Sequence, residues 1–147
     1  MSNEEKGQWV YLVVFAVTYG AYLVIILGQL GQTAPADIDY IPVMLGAIGI
    51  GIVLAIVGRI MVGIAGGIAA EMAGQDDGQD ADVRDRDIGR FGEYVAGTVL
   101  GVGMIVPFVL TLAASDYFWI ANAMYLAFVL SAVVGAAVKV VTYRRGF

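Results

Sequence analysis

Apolar residues fall into four long runs along the chain, separated by shorter polar segments, and the runs cover about 9–27, 41–72, 91–114 and 119–141. A helix needs roughly 20 mostly apolar residues to cross the hydrocarbon core of a bilayer, and the four runs are close to that length or above it. None of them alternates strictly between apolar and polar residues, as the strands of a membrane β-barrel do. The pattern therefore predicts an all-α membrane protein with four transmembrane helices in one domain over 1–147.

The polar segment in the middle divides the predicted helices into two hairpins. The first hairpin covers about 8–74 and the second about 83–147, and a linker rich in Gly and Asp covers about 75–82. The two hairpins share an opening tetrapeptide, an Asp-Tyr pair before the second helix and one basic residue near that helix's end: GQWV and GEYV, Asp39-Tyr40 and Asp116-Tyr117, Arg59 and Lys139. Two interpretations stay open: a duplicated hairpin, related by an axis along the membrane normal, or coincidence between apolar segments.

Lys and Arg are distributed unevenly between the two ends of the predicted helices. All eight lie at the N-terminus, in the segment 73–90, at the C-terminus or near the matching ends of helices two and four, whereas the loops 28–40 and 113–119 contain none. Loops on the cytoplasmic side of a membrane carry an excess of these residues. We therefore expect a multi-pass protein of the cell membrane with both termini in the cytoplasm.

The second apolar run is longer than the hydrocarbon core requires. A helix over 41–72 would be roughly 48 Å long, against about 30 Å for the core. If it begins near Ile41, Arg59 lies close to the inner interface, and we expect the residues after it to pack against neighbouring helices or lie along the membrane surface.

Small residues recur inside the predicted helices, where they allow close approach of helix backbones in a membrane. Five sets have four-residue spacing: Ala47, Gly51 and Ala55; Gly63 and Gly67; Gly97 and Gly101; Ser131 and Gly135; Ala132 and Ala136. Such sets are typical of packing within one chain, and also of a dimer interface or a hinge. Pro107 is expected to bend the third helix, because its ring removes a backbone hydrogen bond, and Pro42 suits the first turn of the second helix.

Composition excludes several classes of function. The chain has neither Cys nor His, so thiolate nucleophiles, thiolate metal sites and imidazole bases are all excluded. A net charge of −5 disfavours nucleic-acid binding, and no catalytic sequence motif is present. We expect no enzymatic activity, no cofactor and no bound metal; the expected partners are membrane lipids and either further copies of the chain or another membrane protein.

Ionisable residues near the predicted membrane boundary are the candidate functional positions. Arg59 and Lys139 either extend to the headgroup layer, with their stems along the helices, or contribute to an anion or proton pathway or a lipid-phosphate site. Glu93 is expected at a similar depth and is predicted to form an ion pair with one of them. No carboxylate is predicted at mid-depth, although a proton-coupled transporter usually needs one.

The segment DVRDRDIGR, over 82–90, is highly charged. Its acidic residues, with those before it, only partly follow a calcium loop (Asp76, Asp80, Asp82 and Asp87), and Ala81 stands where such a loop has Gly. A helix that starts near Val83 explains the segment better: Asp80 or Asp82 would cap it, and three- or four-residue spacing would join Asp82 to Arg86, Arg84 to Asp87, Asp87 to Arg90 and Arg90 to Glu93.

Two motifs in the second half resemble a family of small prokaryotic multi-pass membrane proteins of unknown function. The first is a D-x-R-D-x-x-I loop before a membrane helix, matched by Asp82, Arg84, Asp85, Ile88 and Arg90, with Val83 where the family usually has Glu. The second is a Y-R-R-G tail with an aromatic residue, matched over 143–147. The resemblance covers about 80–147. It implies a regulatory or envelope role, because such proteins are often encoded near helix-turn-helix regulators, and it transfers no catalytic residue.

The pairing of these motifs predicts a contact between the loop and the tail, with Asp82 or Asp85 bound to Arg144 or Arg145. For the function, the sequence favours a structural or regulatory bundle that oligomerises or binds a membrane partner. The alternative is a subunit of a transporter or channel for a small solute or ion, acting as an oligomer.

Overall fold

The computed structural model describes residues 3–73 and 79–145, together with their side chains except those at 69–71, 73 and 79–82. It contains five helices in these ranges: α1 (Asn3–Leu30), α2 (Ile41–Ala73), α3 (Gln79–Gly103), α4 (Ile105–Leu112) and α5 (Tyr117–Arg145). A short 3-10 helix, Pro35–Asp37, lies between α1 and α2, and no strand is present in the described ranges.

Four segments are long and apolar enough to cross a membrane, as the pattern predicted: Asn3–Leu30, Ile41–Ile68, Val83–Leu112 and Tyr117–Arg145. Each has 28 to 30 residues, which corresponds to roughly 42–45 Å of helix and matches a bilayer with its headgroup layers. The all-α class is confirmed. The third segment consists of α3 and α4 together, and α3 begins at Gln79, earlier than the predicted start near Val83.

The third segment is interrupted at Met104, between α3 and α4. Regular helix geometry would bring the N–H of residue 107 to the carbonyl of Gly103, but Pro107 has no N–H to donate. Hydrogen bonding resumes with Phe108, whose N–H donates to the Met104 carbonyl over 3.2 Å. The break therefore lies where the proline was expected to perturb the helix. Pro42 likewise lies in the first turn of α2, where proline does not disturb the helix.

The long helices form an open row rather than a closed bundle. α5 packs against α1 on one side and against α3 and α4 on the other, and α2 packs against α1. No comparable contact joins α2 to α3 within the described ranges. The order in the row is therefore α2, α1, α5, α3, with α2 and α3 at the two open edges.

Open grooves lie along the α1–α5 layer. One groove, of about 420 Å³, lies over α1 between α2 and α5. A second, of about 210 Å³, lies over α5 between α1 and α3. Phe15 and Ala132 line both grooves, which places the two grooves on one face.

A cluster of buried side chains joins α1 to α5 in the half of the layer away from the chain termini. Tyr22 and Ile26 of α1 pack with Phe118, Tyr125 and Val129 of α5, and Ile38 of the first loop covers that end. The Tyr22 hydroxyl donates to Asn122 Oδ1 over 2.7 Å, so this polar pair is satisfied inside the apolar core.

Candidate functional site: the charged end of the bundle

Six charged side chains that bind one another lie at one end of the row, where α1 and α3 begin and α2 and α5 finish. We call this region the charged end. It contains three ion pairs, and each joins two different helices: Arg59 with Glu4, Lys139 with Glu93, and Arg144 with Glu5.

The first ion pair closes the hairpin formed by α1 and α2. Arg59 Nη2 lies 2.5 Å from both carboxylate oxygens of Glu4, and both side chains are about two-thirds buried. The guanidinium lies directly over Gly7, where an added Cβ would collide with it. The absence of a side chain at Gly7 is therefore what lets the Arg59 side chain cross α1 and reach Glu4.

The second ion pair closes the hairpin formed by α3 and α5 in the same way but less tightly. Lys139 Nζ lies 3.7 Å from Glu93 Oε1, and the side chain of Glu93 is 76% exposed. The stem of Lys139 crosses Gly92, where an added Cβ would collide with it. Of the two partners predicted for Glu93, the structure gives it Lys139, while Arg59 binds Glu4 instead.

The third ion pair joins the two hairpins. Arg144 Nε donates to Glu5 Oε1 over 3.1 Å, and the Glu5 side chain is only 7% exposed. The guanidinium carbon of Arg144 also lies 5.5 Å from the centre of the Trp9 ring, a distance typical of a cation–π contact. A buried carboxylate needs such a partner, because an unpaired charge in a dry contact is strongly destabilising.

The predicted contact between the charged loop and the tail is present, but among the described side chains no ion pair joins Asp85 to Arg144 or Arg145. Arg84 Nη2 donates to the Tyr143 carbonyl over 3.3 Å, and the Tyr143 hydroxyl lies near the Asp85 carboxylate. Arg144 follows Tyr143 by one residue, about 100° further round α5, and therefore faces Glu5 of α1 instead of Asp85. Arg145 is exposed.

The predicted charge pairs within helix three are also corrected. Arg84 and Glu93 take their partners on α5, Tyr143 and Lys139, instead of Asp87 and Arg90 on their own helix. Packing against α5 turns both side chains toward it, and an exposed pair at four-residue spacing stabilises a helix too little to compete. The side chains of Asp80 and Asp82, with Asp76, lie outside the described residues, so the predicted cap, the Asp82 pairs and the calcium loop fall outside them too.

Sequence reasoning missed Glu4 and Glu5, which supply two of the three acidic partners. Both lie in the N-terminal turns of α1, before the apolar run of the first span, and their charge was the signal that could have identified them. Elsewhere in the described residues, no group of three or more acidic side chains converges as a metal site would require.

Two of the small-residue stripes form matching contacts in the two hairpins. Gly92 follows Gly7 by 85 residues and Lys139 follows Arg59 by 80; applied to the second helices, the offset of 80 relates Ala47, Gly51 and Ala55 to Ala127, Ser131 and Gly135. Each set packs against the first helix of its own hairpin. An added Cβ at Gly51 would lie 3.3 Å from Thr18 Oγ1, and one at Gly135 would lie 2.8 Å from Ala96 Cβ. These stripes therefore serve packing within the chain.

Two other stripes face away from the rest of the chain. Gly63 and Gly67 of α2, and Gly97 and Gly101 of α3, have no atom within 4 Å of an added Cβ. Small residues on the two open edges are thus left without a helix beside them.

The chain matches no family model, no curated protein and no solved structure. The resemblance to a family with the charged loop and the Y-R-R-G tail accordingly stays a prediction from the sequence.

Proposed function

We propose that the protein is an integral membrane protein that binds a further transmembrane helix along the free face of α2. The observation that carries the proposal is that, among the described residues, α2 makes its only extensive helix contact with α1, in a row of four helices. The opposite face of α2 carries exposed apolar residues spaced four, three and four apart: Gly49, Val53, Ile56 and Ile60. We call these four residues the open seam of α2. Such spacing repeats on one side of a helix and is typical of packing between two helices.

The composition of the open seam supports a helix rather than lipid alone as its neighbour. Gly49 offers space for close backbone approach, and Val53, Ile56 and Ile60 are 53–58% exposed. Further along α2, Gly63 and Gly67 also have no atom within 4 Å of an added Cβ. Helix association in a membrane depends on such close van der Waals packing, because lipid tails are as apolar as the side chains.

Association measured in lipid particles excised directly from cell membranes tests this proposal. We expect the native chain to run with a mass above that of one chain. Gly49→Leu should shift it toward a single chain, because a large side chain there blocks backbone approach, and no atom of its own chain lies within 4 Å of an added Cβ. The matched control is Gly28→Leu on α1, which also has open space around it and should leave the mass unchanged. A native chain that is alone in its particles would contradict the proposal.

The proposed orientation places the charged end, and with it both termini, in the cytoplasm of the cell. The uneven distribution of Lys and Arg supports it. Because the chain has no Cys, a single cysteine at Arg145 should react with an impermeant thiol reagent only after the membrane is opened. Reaction in intact cells would show that the charged end lies on the outer side of the membrane.

Transport remains the alternative prediction from the sequence, and Arg59 separates the two. Since Arg59 is bound to Glu4 over a glycine, we expect Arg59→Ala to weaken the first hairpin and its insertion. Loss of ion or solute flux in a variant that inserts and assembles normally would favour transport instead.

A further inference from the structure

Corresponding surfaces of the two hairpins are buried to different extents. With the offset of 80, the open seam of α2 corresponds to Val129, Val133, Ala136 and Val140 of α5. On α5 these residues face α1, and three of them are almost fully buried: Val129 is 7% exposed, Ala136 4% and Val140 5%. Their counterparts on α2 are open, since Ile56 is 53% exposed and Ile60 55%.

The first helices show the same difference. Trp9 of α1 is half-buried and lies against Arg144 of α5. With the offset of 85 its counterpart on α3 is Tyr94, which is 74% exposed. Each hairpin of a repeat therefore has one helix that is covered by the other hairpin and one that is not.

The covered pair, α1 on α5, is the contact that joins the two hairpins within the chain. Since α1 corresponds to α3 and α5 corresponds to α2, the matching contact would join α3 to α2. These are the two helices at the open edges of the row. They cannot make this contact with each other while α1 and α5 lie between them. A second copy of the chain presents both surfaces in the same orientation in the membrane.

From this correspondence we infer that α3 of one copy packs along the open seam of α2 in the next copy, repeating between chains the α1–α5 contact found within one chain. The inference rests on the proposed function and names its partner. The contact is head to tail, so it closes into a ring when the curvature allows. Two chains are the fewest that can close such a ring.

The repeat also identifies which residues should meet between copies. The contact of Trp9 with Arg144 corresponds to Tyr94 of one copy beside Ile64 of the next. The ring contact of Tyr19 with Tyr125, whose centres are 5.2 Å apart, corresponds to Met104 beside Leu45. Leu45 and Ile64 are both exposed in the single chain, by 63% and 56%, and so are free to accept these partners.

Cysteine crosslinking in native membranes tests the inference, because the chain has no cysteine of its own. Cells would make two forms of the full chain together, one carrying Tyr94→Cys and the other Ile64→Cys, distinguished by different tags. We expect oxidation to join the two forms. The matched control replaces Ile64→Cys by Leu54→Cys, an exposed position of α2 that points away from the open seam, and should give no mixed product. A second pair, Met104→Cys with Leu45→Cys, should also crosslink and guards against a local disturbance at Tyr94.

Three results would overturn the inference in distinguishable ways. Crosslinking of Ile64→Cys to itself, without the mixed product, would mean that α2 pairs with α2, so that the proposed function stands and the head-to-tail contact fails. A second result is that neither mixed pair crosslinks while the native mass exceeds one chain and a different protein is found in the particle. In that case too, the proposed function stands and the head-to-tail contact fails. Failure of both pairs with a native mass of one chain would reject the proposed function as well.

Discussion

The two hairpins have the same kind of contact between their helices, but the ion pair across it is closer in the first hairpin than in the second. In each, a stripe of small residues on the second helix packs on the first, and a basic side chain crosses a glycine to reach a carboxylate. Arg59 reaches Glu4 at 2.5 Å, whereas Lys139 lies 3.7 Å from a largely exposed Glu93. Arg has a planar group that can bind both oxygens of a carboxylate, whereas Lys is a point charge.

The second helices of the two hairpins differ in burial, and this difference is opposite to the difference in ion-pair distance. The second hairpin, with the looser ion pair, contributes α5, the helix with the largest buried share of the four spans. The first hairpin, with the tighter pair, contributes α2, which is open on the far side. Each hairpin nevertheless has one helix at an open edge of the row, α2 in the first and α3 in the second.

The largest expected effect comes from filling the helix contact of the second hairpin. Gly135→Leu places a large side chain against Ala96, and overpacking of this kind should lower the free energy of unfolding by about 3 kcal/mol. Unfolding in mixed micelles, followed by circular dichroism during titration with a denaturing detergent, measures it. Gly28→Leu, in open space, should change the value by about 0.5 kcal/mol or less; equal effects of the two would show that the stripe does not set the packing.

The next effect concerns the ion pair that joins the hairpins. Arg144→Gln removes the Arg144 cation from the buried Glu5 carboxylate and should cost about 2 kcal/mol, less than for a fully buried pair because Arg144 is itself half-exposed. The same unfolding titration applies, with Arg145→Gln as the exposed neighbouring control. A loss no greater than that of the control would mean that the hairpins are held together by apolar packing alone.

Double-mutant cycles compare the two matching ion pairs directly. For Glu4→Gln with Arg59→Gln we expect a coupling energy of about 1 kcal/mol, and for Glu93→Gln with Lys139→Gln about 0.3 kcal/mol, since the second pair is longer and more exposed. Couplings of equal size, or the reverse order, would remove the contrast between the hairpins.

The smallest effect is expected at the contact of the charged loop with the tail. Tyr143→Phe removes the hydroxyl near Asp85 and should cost about 0.5 kcal/mol, because a single polar contact between partly exposed groups contributes little net stability. Hydrogen exchange of amides over 83–90 should increase more than exchange over 3–10. Equal amide protection over 83–90 in the native chain and in Tyr143→Phe would show that Asp85 does not fix the loop through Tyr143.

Much of the fold follows from local features of the sequence, and most of the site does not. Four spans, the break before Pro107 and the pairing of Glu93 with Lys139 could be predicted because apolar run length, the missing proline N–H and depth in a membrane depend on single segments. The choice of Glu5 over Asp85 by Arg144 could not, since it depends on which helix lies beside α5. The direction in which each small-residue stripe faces is undetermined for the same reason, and helices that are apolar all round give no periodic signal of their buried side.

The central claim is that the open seam of α2 is covered by a helix in the membrane. Spin labels at Ile56, Ile60 and Leu54, each introduced singly through cysteine, measure collision with oxygen dissolved in the lipid. We predict low oxygen access at Ile56 and Ile60 and high access at Leu54, although all three are similarly exposed in the single chain. Equal, high access at all three positions would contradict the claim and leave α2 as a lipid-facing edge.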